Sequence, residues 1–131
     1  MITTYLDASA ILKLTRAEPE SLALIDYLTG QNRRVATSVI AQVEVLRSLQ
    51  RVRLARDDQD SAMRAIYLLN LDADVLRAAT RLKPVTLRTL DAIHVATAAT
   101  IGDIDLEFVT YDARMAAAAQ QAGLKVVQPG R

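Results

Sequence analysis

Four acidic residues spread along the chain are the side chains best suited to catalysis: Asp7, Glu44, Asp91 and Asp112. Two unit charges ~5 Å apart repel by about 3 kcal/mol at an effective dielectric constant near 20. Carboxylates that converge in one pocket therefore need cations, or some of them must take up protons. Magnesium and manganese accept such oxygen ligands. A metal held in this way acidifies a water molecule and neutralises charge on a phosphate, which is the chemistry of many nucleases.

Each of these acids also has a simpler structural interpretation. Asp7 and Asp112 follow short apolar runs and precede helical segments, where an aspartate caps a helix by accepting backbone N–H bonds. Glu44 shares a helical stripe with Arg47, so an exposed ion pair worth ~0.5 kcal/mol accounts for it. Asp91 can stabilise the positive end of its own helix. Taken singly, the residues leave capping and catalysis open, and only their joint arrangement favours a site.

Three neighbouring polar side chains are candidates for assisting roles. Ser9 and Thr110 each lie two residues from an acid, Asp7 and Asp112 respectively, and can place hydroxyl groups in the same pocket. His94, the only histidine, can orient a carboxylate, bind metal or fill space, and a hydrogen-bonded structural role is favoured. The absence of cysteine excludes thiol chemistry, and no serine-histidine-acid order or glycine-rich phosphate loop offers a competing mechanism.

The segments that must position these residues alternate between strand and helix. Strands are predicted at Ile2–Leu6, 34–37, 107–110 and Lys125–Val127. Helices are predicted at 8–14, 19–29, 39–49, 56–69, 74–81, 88–101 and 112–122, and the join at 70–72 is left open between a loop and a very short strand. Ser38 is expected to cap the third helix, and Gly30 and Gly123 stand where helices commonly stop.

This alternation predicts an α/β fold with three layers, in which helices flank a central parallel sheet. Ligands bind such sheets beyond the carboxyl ends of the strands, and Asp7 and Asp112 fall there. A chain of 131 residues, 51% hydrophobic and 24% charged, is expected to form a single domain over residues 1–131. With no signal peptide and no apolar segment of bilayer length, we expect a cytoplasmic protein without a membrane span.

The net charge of +1 favours no particular partner, so any nucleic-acid surface must come from local placement. The densest basic patch consists of Arg47, Arg51, Arg53 and Arg56. Its charge is diluted by Asp57, Asp58 and Asp60. Arginines of this kind contact RNA phosphates, but the dilution favours a solvated or partner-binding helix face over a dedicated RNA track. Four tyrosines and one phenylalanine give little basis for base stacking.

Four segments resemble the motifs of PIN-domain ribonucleases, specifically the VapC-type toxins of bacterial toxin-antitoxin pairs. They are Leu6-Asp7-Ala8-Ser9-Ala10, Ser38-Val39-Ile40 with Glu44, the run 89–96 around Asp91, and Val109-Thr110-Tyr111-Asp112 with Met115-Ala116. The resemblance extends from Tyr5 to about Val127 and keeps the four acids in the family's order. The joint pattern is far more specific than any one of its members.

The resemblance implies a PIN-like fold and a magnesium- or manganese-dependent endoribonuclease that acts as the toxin of such a pair. The four acids would form its metal-binding active site, with Ser9 and Thr110 as polar helpers. It also implies a homodimer and an antitoxin whose tail enters the site, and Arg47 and Arg51 are then candidate contacts to RNA or antitoxin. The acidic segment 102–105 departs from the family pattern, which leaves open a contribution of Asp103 or Asp105.

Two other classes of function compete with a ribonuclease. A non-catalytic PIN-like scaffold would bind RNA or protein, but the complete set of acids makes it less attractive. An aspartate-based phosphotransfer domain also places an aspartate after its first parallel strand, but Ala8 and Ser9 stand where a second acid would be expected. The identity of the RNA is not determined, because every RNA presents the same phosphodiester bond.

Overall fold

The computed structural model describes residues 1–53, 61 and 63–131. Five strands lie in these ranges: β1 (Ile2–Leu6), β2 (Arg33–Ser38), β3 (Tyr67–Leu69), β4 (Glu107–Val109) and β5 (Lys125–Val127). The helices of the same ranges are α1 (Ala8–Thr15), α2 (Ser21–Thr29), α3 (Val39–Arg51), α4 (Ala73–Arg81), α5 (Thr89–Ile101) and α6 (Ala113–Gln121). None of these described helices combines the length and the apolar character that crossing a bilayer requires.

The strands form one parallel sheet in the order β3-β2-β1-β4-β5. This arrangement confirms the predicted central parallel sheet flanked by helices. The chain builds outward from β1 to β3 on one side and then crosses to β4 on the other, so the strand order reverses between β1 and β4. Connections leave such a point in opposite directions and open a crevice at the carboxyl ends of the two strands. The topology therefore places a site directly after β1 and β4.

Alternating side chains of the central strands build a separate core on each face of the sheet. Leu6 and Val109 pack with residues of α1, α2 and α3, whereas Tyr5 and Phe108 pack with residues of α5 and α6. The rings of Tyr5 and Phe108 stack with centroids 5.2 Å apart. Because β1 is covered on both faces, its five residues read as an almost continuous apolar and β-branched run. The end of this strand is consequently a rigid support for Asp7.

Side chains at the helix starts confirm several predicted boundaries. Asp7, Ser38 and Asp112 each accept a hydrogen bond from a backbone N–H in the first turn of the helix that follows. Gly123 follows α6 with φ of 89°, a left-handed conformation that disfavours residues with a Cβ atom. The capping interpretation of Asp7 and Asp112 is therefore correct, although it does not exclude a second role for either residue.

The helix predicted over 56–69 is wrong at its carboxyl end, where the structure has β3. The short strand left open at 70–72 lies three residues earlier, at Tyr67–Leu69. Its backbone pairs with residues Ala36 to Ser38 of β2, and this pairing, rather than local propensity, determines its conformation. Residues 54–60 and 62 of that predicted helix lie outside the described residues. The remaining predicted boundaries agree with the structure to within about two residues.

A charged cluster closes the amino end of the sheet around Glu107, which is 4% exposed. Glu107 forms a buried ion pair with Arg33, accepts a hydrogen bond from the Tyr27 hydroxyl at 2.5 Å, and lies 3.2 Å from Lys125 Nζ. Burial raises the pKa of Glu107, but the hydrogen bonds from Tyr27, Arg33 and Lys125 outweigh it, and the net pKa lies below the ordinary glutamate value. The cluster links β4 to β2, β5 and α2.

We predict that Glu107→Gln lowers the free energy of unfolding by about 3–5 kcal/mol at pH 7, because it leaves the buried Arg33 without a charged partner. The folded-state pKa of Glu107 is lowered, so its contribution is present above the unfolded-state pKa of ~4.3 and is lost as the pH falls through the folded-state value. Urea denaturation should therefore show the difference between wild type and variant shrinking in acid. Asp74→Asn, which removes an exposed ion pair with Arg77, is the control and should cost less than about 1 kcal/mol. Equal losses in the two variants would contradict a structural role for the buried cluster.

Candidate active site

The four predicted acids come together in one cavity at the carboxyl end of the sheet. The cavity has a volume of about 140 Å³ and is lined by Asp7, Ala8, Ser9, Glu44, Arg88, Asp91, His94, Asp112 and Met115. The acids arrive from the end of β1, from α3, from the first turn of α5 and from the start of α6. Because β1 and β4 are neighbours in the sheet, the chain following each strand must pass the same crevice. Residues separated by more than 100 positions thereby share one small space.

Asp7 is the most deeply buried of the four acids, with 1% of its surface exposed. Its Oδ1 atom accepts hydrogen bonds from Ala10 N at 2.9 Å and Ser9 Oγ at 2.7 Å, and its Oδ2 atom accepts one from Thr110 Oγ1 at 2.6 Å. Burial raises the pKa of Asp7, and these three hydrogen bonds only partly oppose it. A cation in the cavity would favour the ionised form of this carboxyl group.

The two predicted polar helpers act on Asp7 and also connect the chain segments around it. Ser9 Oγ accepts a hydrogen bond from Tyr111 N at 3.2 Å, and Thr110 Oγ1 accepts one from Asp112 N at 3.1 Å. Each hydroxyl thus donates to Asp7 while accepting from the loop that leads into α6. The bonds fix the start of α1 against that loop. Ser9 lines the cavity, whereas Thr110 is fully buried beneath it.

A buried chain of hydrogen bonds orients Glu44. His94 is completely buried, with Nδ1 2.7 Å from Tyr5 Oη and Nε2 2.6 Å from Glu44 Oε1. Tyr5 Oη also accepts a hydrogen bond from Ser38 N at 3.2 Å. An ionised carboxylate can only accept hydrogen bonds, so Nε2 carries a proton and donates it to Glu44. Glu44 is therefore held by His94, and not by the arginine pairing that the helix spacing suggested.

Arg88 is a functional candidate that the sequence reasoning did not single out. Its Nε atom lies 3.1 Å from Asp91 Oδ2, and its Nη2 atom lies 3.5 Å from Asp112 Oδ2. The side chain is 69% exposed at the mouth of the cavity. Its hydrogen bond to Asp91 raises the pKa of Arg88, and the charge of Asp112 adds to the effect. The spacing of three residues between Arg88 and Asp91 at a helix start was the signal that could have revealed it.

The side chains fit a hard divalent cation in chemistry but are not arranged around one. Within the described residues, no three aspartate, glutamate or histidine side chains are grouped closely enough to hold a metal ion as they stand. Asp91 and Asp112 instead contact Arg88, and Glu44 contacts His94. The lining nevertheless offers several carboxylate oxygens and no thiolate, which suits magnesium and manganese. Its volume of about 140 Å³ accommodates an ion with a few of its waters.

The remaining residues considered in the sequence lie elsewhere. Arg47 and Arg51 are exposed on α3 and do not line the acid cavity, and Arg51 donates a hydrogen bond to Ser48 Oγ at 2.8 Å. Asp103 and Asp105 are exposed in the loop before β4, at the opposite end of that strand from the acids. Arg53 follows α3 with φ of 58°. The other members of the basic patch and its diluting acids lie outside the described residues: Arg56, Asp57, Asp58 and Asp60.

We predict that His94→Leu destabilises the protein by about 1–3 kcal/mol, because the buried hydroxyl of Tyr5 loses its hydrogen-bond partner on the imidazole ring. Chemical denaturation of the Tyr5→Phe, His94→Leu and double variants measures this as a thermodynamic cycle. The double variant should lose less stability than the sum of the single losses, since it removes both partners together. Strictly additive losses would show that the two side chains do not depend on each other.

Comparison with known proteins bears out the family resemblance. The PIN domain family matches residues 4–126 of the chain. Among curated proteins, the chain is 46% identical to ribonuclease VapC46 of Mycobacterium tuberculosis, with 98% of this chain and 99% of the relative covered. It is 38% identical to ribonuclease VapC47 of the same species, with 96% of each protein covered. These similarities extend over nearly the whole length of both partners.

Solved structures share the fold at lower sequence identity. A toxin-antitoxin complex from Klebsiella pneumoniae contains a chain that superposes with a TM-score of 0.74 at 21% identity, covering 95% of both chains. Mycobacterium tuberculosis VapC20, described as a sarcin-ricin loop cleaving toxin, gives a TM-score of 0.71 at 18% identity, covering 88% of this chain and 94% of VapC20. From the matched family and the extent of these similarities, the chain belongs to the PIN domain family and, within it, to the VapC proteins.

Proposed function

We propose that this protein is the toxin of a toxin-antitoxin pair and that it hydrolyses phosphodiester bonds of RNA with the help of magnesium or manganese. The observation that carries the proposal is the convergence of Asp7, Glu44, Asp91 and Asp112 in one cavity. Relatives at 46% and 38% identity are named ribonucleases, which supports the same reaction here. Helix capping accounts for the positions of Asp7 and Asp112, but it does not explain why Glu44 and Asp91 line the same cavity.

The residues of the cavity have distinct roles in the proposed reaction. When bound, the metal lowers the pKa of a water molecule and neutralises charge on the phosphate. Asp7 is the most rigid of its proposed ligands, because three donors fix its carboxylate. His94 holds Glu44 at the cavity, and the hydrogen bond from its Nε2 atom sets the direction of that carboxylate. Asp91 and Asp112, which contact Arg88 in this structure, would hold the ion together with Asp7 and Glu44 and would exchange the Arg88 contact for it.

This exchange gives Arg88 a role of its own. In the described structure its guanidinium offsets the charge of two carboxylates at the cavity mouth. If those carboxylates held a metal ion, the guanidinium would be available to the phosphate of the substrate, which it could contact with two parallel hydrogen bonds. Its exposed position allows this movement without disturbing the core.

The proposed function includes an antitoxin and a second copy of the chain as partners. One solved structure with this fold is described as a toxin-antitoxin complex and two others as VapBC structures, and we extend an assembly of toxin with antitoxin to this protein. Val43, which is exposed on α3 beside Glu44, offers apolar surface for a protein partner near the cavity. Arg47 and Arg51 on the same helix remain proposed contacts to RNA or antitoxin. For the homodimer, the exposed apolar side chains of Leu76 and Val85 are the proposed contact surface.

We predict that Asp7→Asn and Asp91→Asn each lower the rate of RNA cleavage by at least ~100-fold, because each removes a proposed metal ligand. The assay uses total RNA with magnesium or manganese, followed by mapping of the cleaved ends, and a chelator should abolish cleavage. Asp74→Asn, an exposed acid on α4, is the control and should cleave like wild type. Full activity in the first two variants would refute the site, whereas RNA binding without cleavage under any divalent ion would favour the scaffold function.

A second prediction concerns the cost of burying the Asp7 charge. Because its folded-state pKa is raised, Asp7 lowers the stability of the metal-free protein as the pH rises from the unfolded-state value of ~3.9 through the folded-state value. Asp7→Asn removes this loss and keeps an oxygen acceptor for Ala10 N. Thermal melting over a pH series should therefore show a metal-free variant at least as stable as wild type near neutral pH. Manganese should raise the melting temperature of wild type only, and a metal-free variant several degrees less stable than wild type would contradict the prediction.

A further inference from the structure

A groove of about 470 Å³ adjoins the acid cavity on the side of α6. We call it the side groove, and it is lined by Pro84, Thr86, Leu87, Arg88, Asp91, Arg114, Ala117, Ala118 and Gln121. Arg88 and Asp91 also line the acid cavity, so the two spaces meet at these residues. Its volume falls within the ~300–1,000 Å³ of small-ligand pockets, which is enough for a nucleotide.

A second groove also adjoins the acid cavity. It has a volume of about 310 Å³ and is lined by Glu44, Arg88, Thr89, Leu90 and Asp91. Both grooves therefore share Arg88 and Asp91 with the acid cavity, but this one includes Glu44 of α3, whereas the side groove includes residues of α6. A polymer cut in the middle needs room beyond the reacting phosphate for more than one nucleotide, and two grooves that adjoin the acids offer that room.

Arg114 is the side chain that gives the side groove a ligand preference. It is exposed in the first turn of α6 and has no ion-pair partner among the residues that the structure describes. The packing of α6 depends on Met115, Ala118 and Ala119, so Arg114 is not needed for the fold. Asp91 is the only acid in the groove lining, and it already contacts Arg88. An unpaired guanidinium at such a groove is suited to a phosphate group.

We propose that the side groove binds the nucleotide next to the scissile phosphate of single-stranded RNA, and that Arg114 contacts the phosphate of this nucleotide. The proposal rests on the ribonuclease function and adds a subsite to it. Leu87 and Ala117 supply apolar surface for the base, and Gln121 supplies an amide that can bond to its edge. A base enters such a groove only when it is unpaired, so loops and single strands are the substrates that fit.

Two adjacent glutamines provide a matched test of this subsite. Gln120 and Gln121 are both exposed in the last turn of α6, but only Gln121 lines the side groove. Gln121→Glu and Gln120→Glu add the same charge at nearly the same distance from the helix end, so their effects on the helix dipole are equivalent. A difference in RNA affinity between the two variants would therefore show that RNA contacts the side groove. Arg114→Gln completes the set by removing the proposed phosphate contact.

The probe is a fluorescein-labelled pool of short single-stranded RNAs of random sequence, bound in the presence of a chelator so that cleavage does not interfere. Arg114→Gln and Gln121→Glu should weaken binding by roughly three- to tenfold, whereas Gln120→Glu should bind like wild type. Arg114→Gln should also reduce the slope of log affinity against log salt by about 0.7, the value expected for one lost phosphate contact on a single strand. Thermal melting should be unchanged in all three variants, because each replaced side chain is exposed.

The outcomes separate this inference from the ribonuclease function. Unchanged RNA affinity in Arg114→Gln, or equal effects of the two glutamine variants, would overturn the subsite even if wild type cleaves RNA. Weaker binding in Arg114→Gln and Gln121→Glu but not in Gln120→Glu would support the subsite even if wild type fails to cleave. If these variants instead bind RNA normally but lose a co-expressed antitoxin, the groove belongs to the protein partner and the RNA subsite is wrong.

Discussion

Mutual repulsion among carboxylates is the constraint on which the site of this protein depends. Four acids share a cavity of about 140 Å³, and no arrangement of their negative charges alone would be stable there. Three kinds of partner offset this repulsion: hydroxyl and backbone donors at Asp7, an imidazole N–H at Glu44, and a guanidinium between Asp91 and Asp112. The first two kinds are buried and fixed. The guanidinium is exposed, and in the proposed function a divalent cation would take its place at Asp91 and Asp112.

The two ends of the sheet differ in how their buried charges are balanced. At the amino end, the Glu107 carboxylate contacts the cations of Arg33 and Lys125 and the hydroxyl of Tyr27, so its negative charge is compensated within the chain. At the carboxyl end, carboxylates outnumber the cations of the cavity lining. Parallel strands bring every connection that follows a strand to this second end, and helix starts there supply backbone N–H groups. An excess of negative charge is therefore held where a substrate can reach it.

Arg88 links the electrostatics of the cavity to the shape of the surface around it. It lines the acid cavity and both adjoining grooves. A movement of its side chain away from the acids would therefore change the lining of all three spaces. In the proposed mechanism, a metal ion held by Asp91 and Asp112 would leave the Arg88 guanidinium without its carboxylate partners. A substrate phosphate would then supply the missing negative charge, so the binding of metal and the binding of substrate would favour each other.

The sequence by itself determined the order of strands and helices apart from β3, the caps at Asp7, Ser38 and Asp112, and the four acids. These features depend on local periodicity, on capping chemistry and on motifs that carry their residues at short spacing. The tertiary structure decided what depends on contacts between distant segments. Strand β3 has only three residues and exists because β2 offers it a partner, so local propensity predicted a helix instead. The contact of Arg88 with Asp112, the bond from His94 to Glu44 and the groove at Arg114 likewise require helices to pack side by side. No spacing along one chain segment encodes such distances, because they are set by the packing of the whole sheet and its helices.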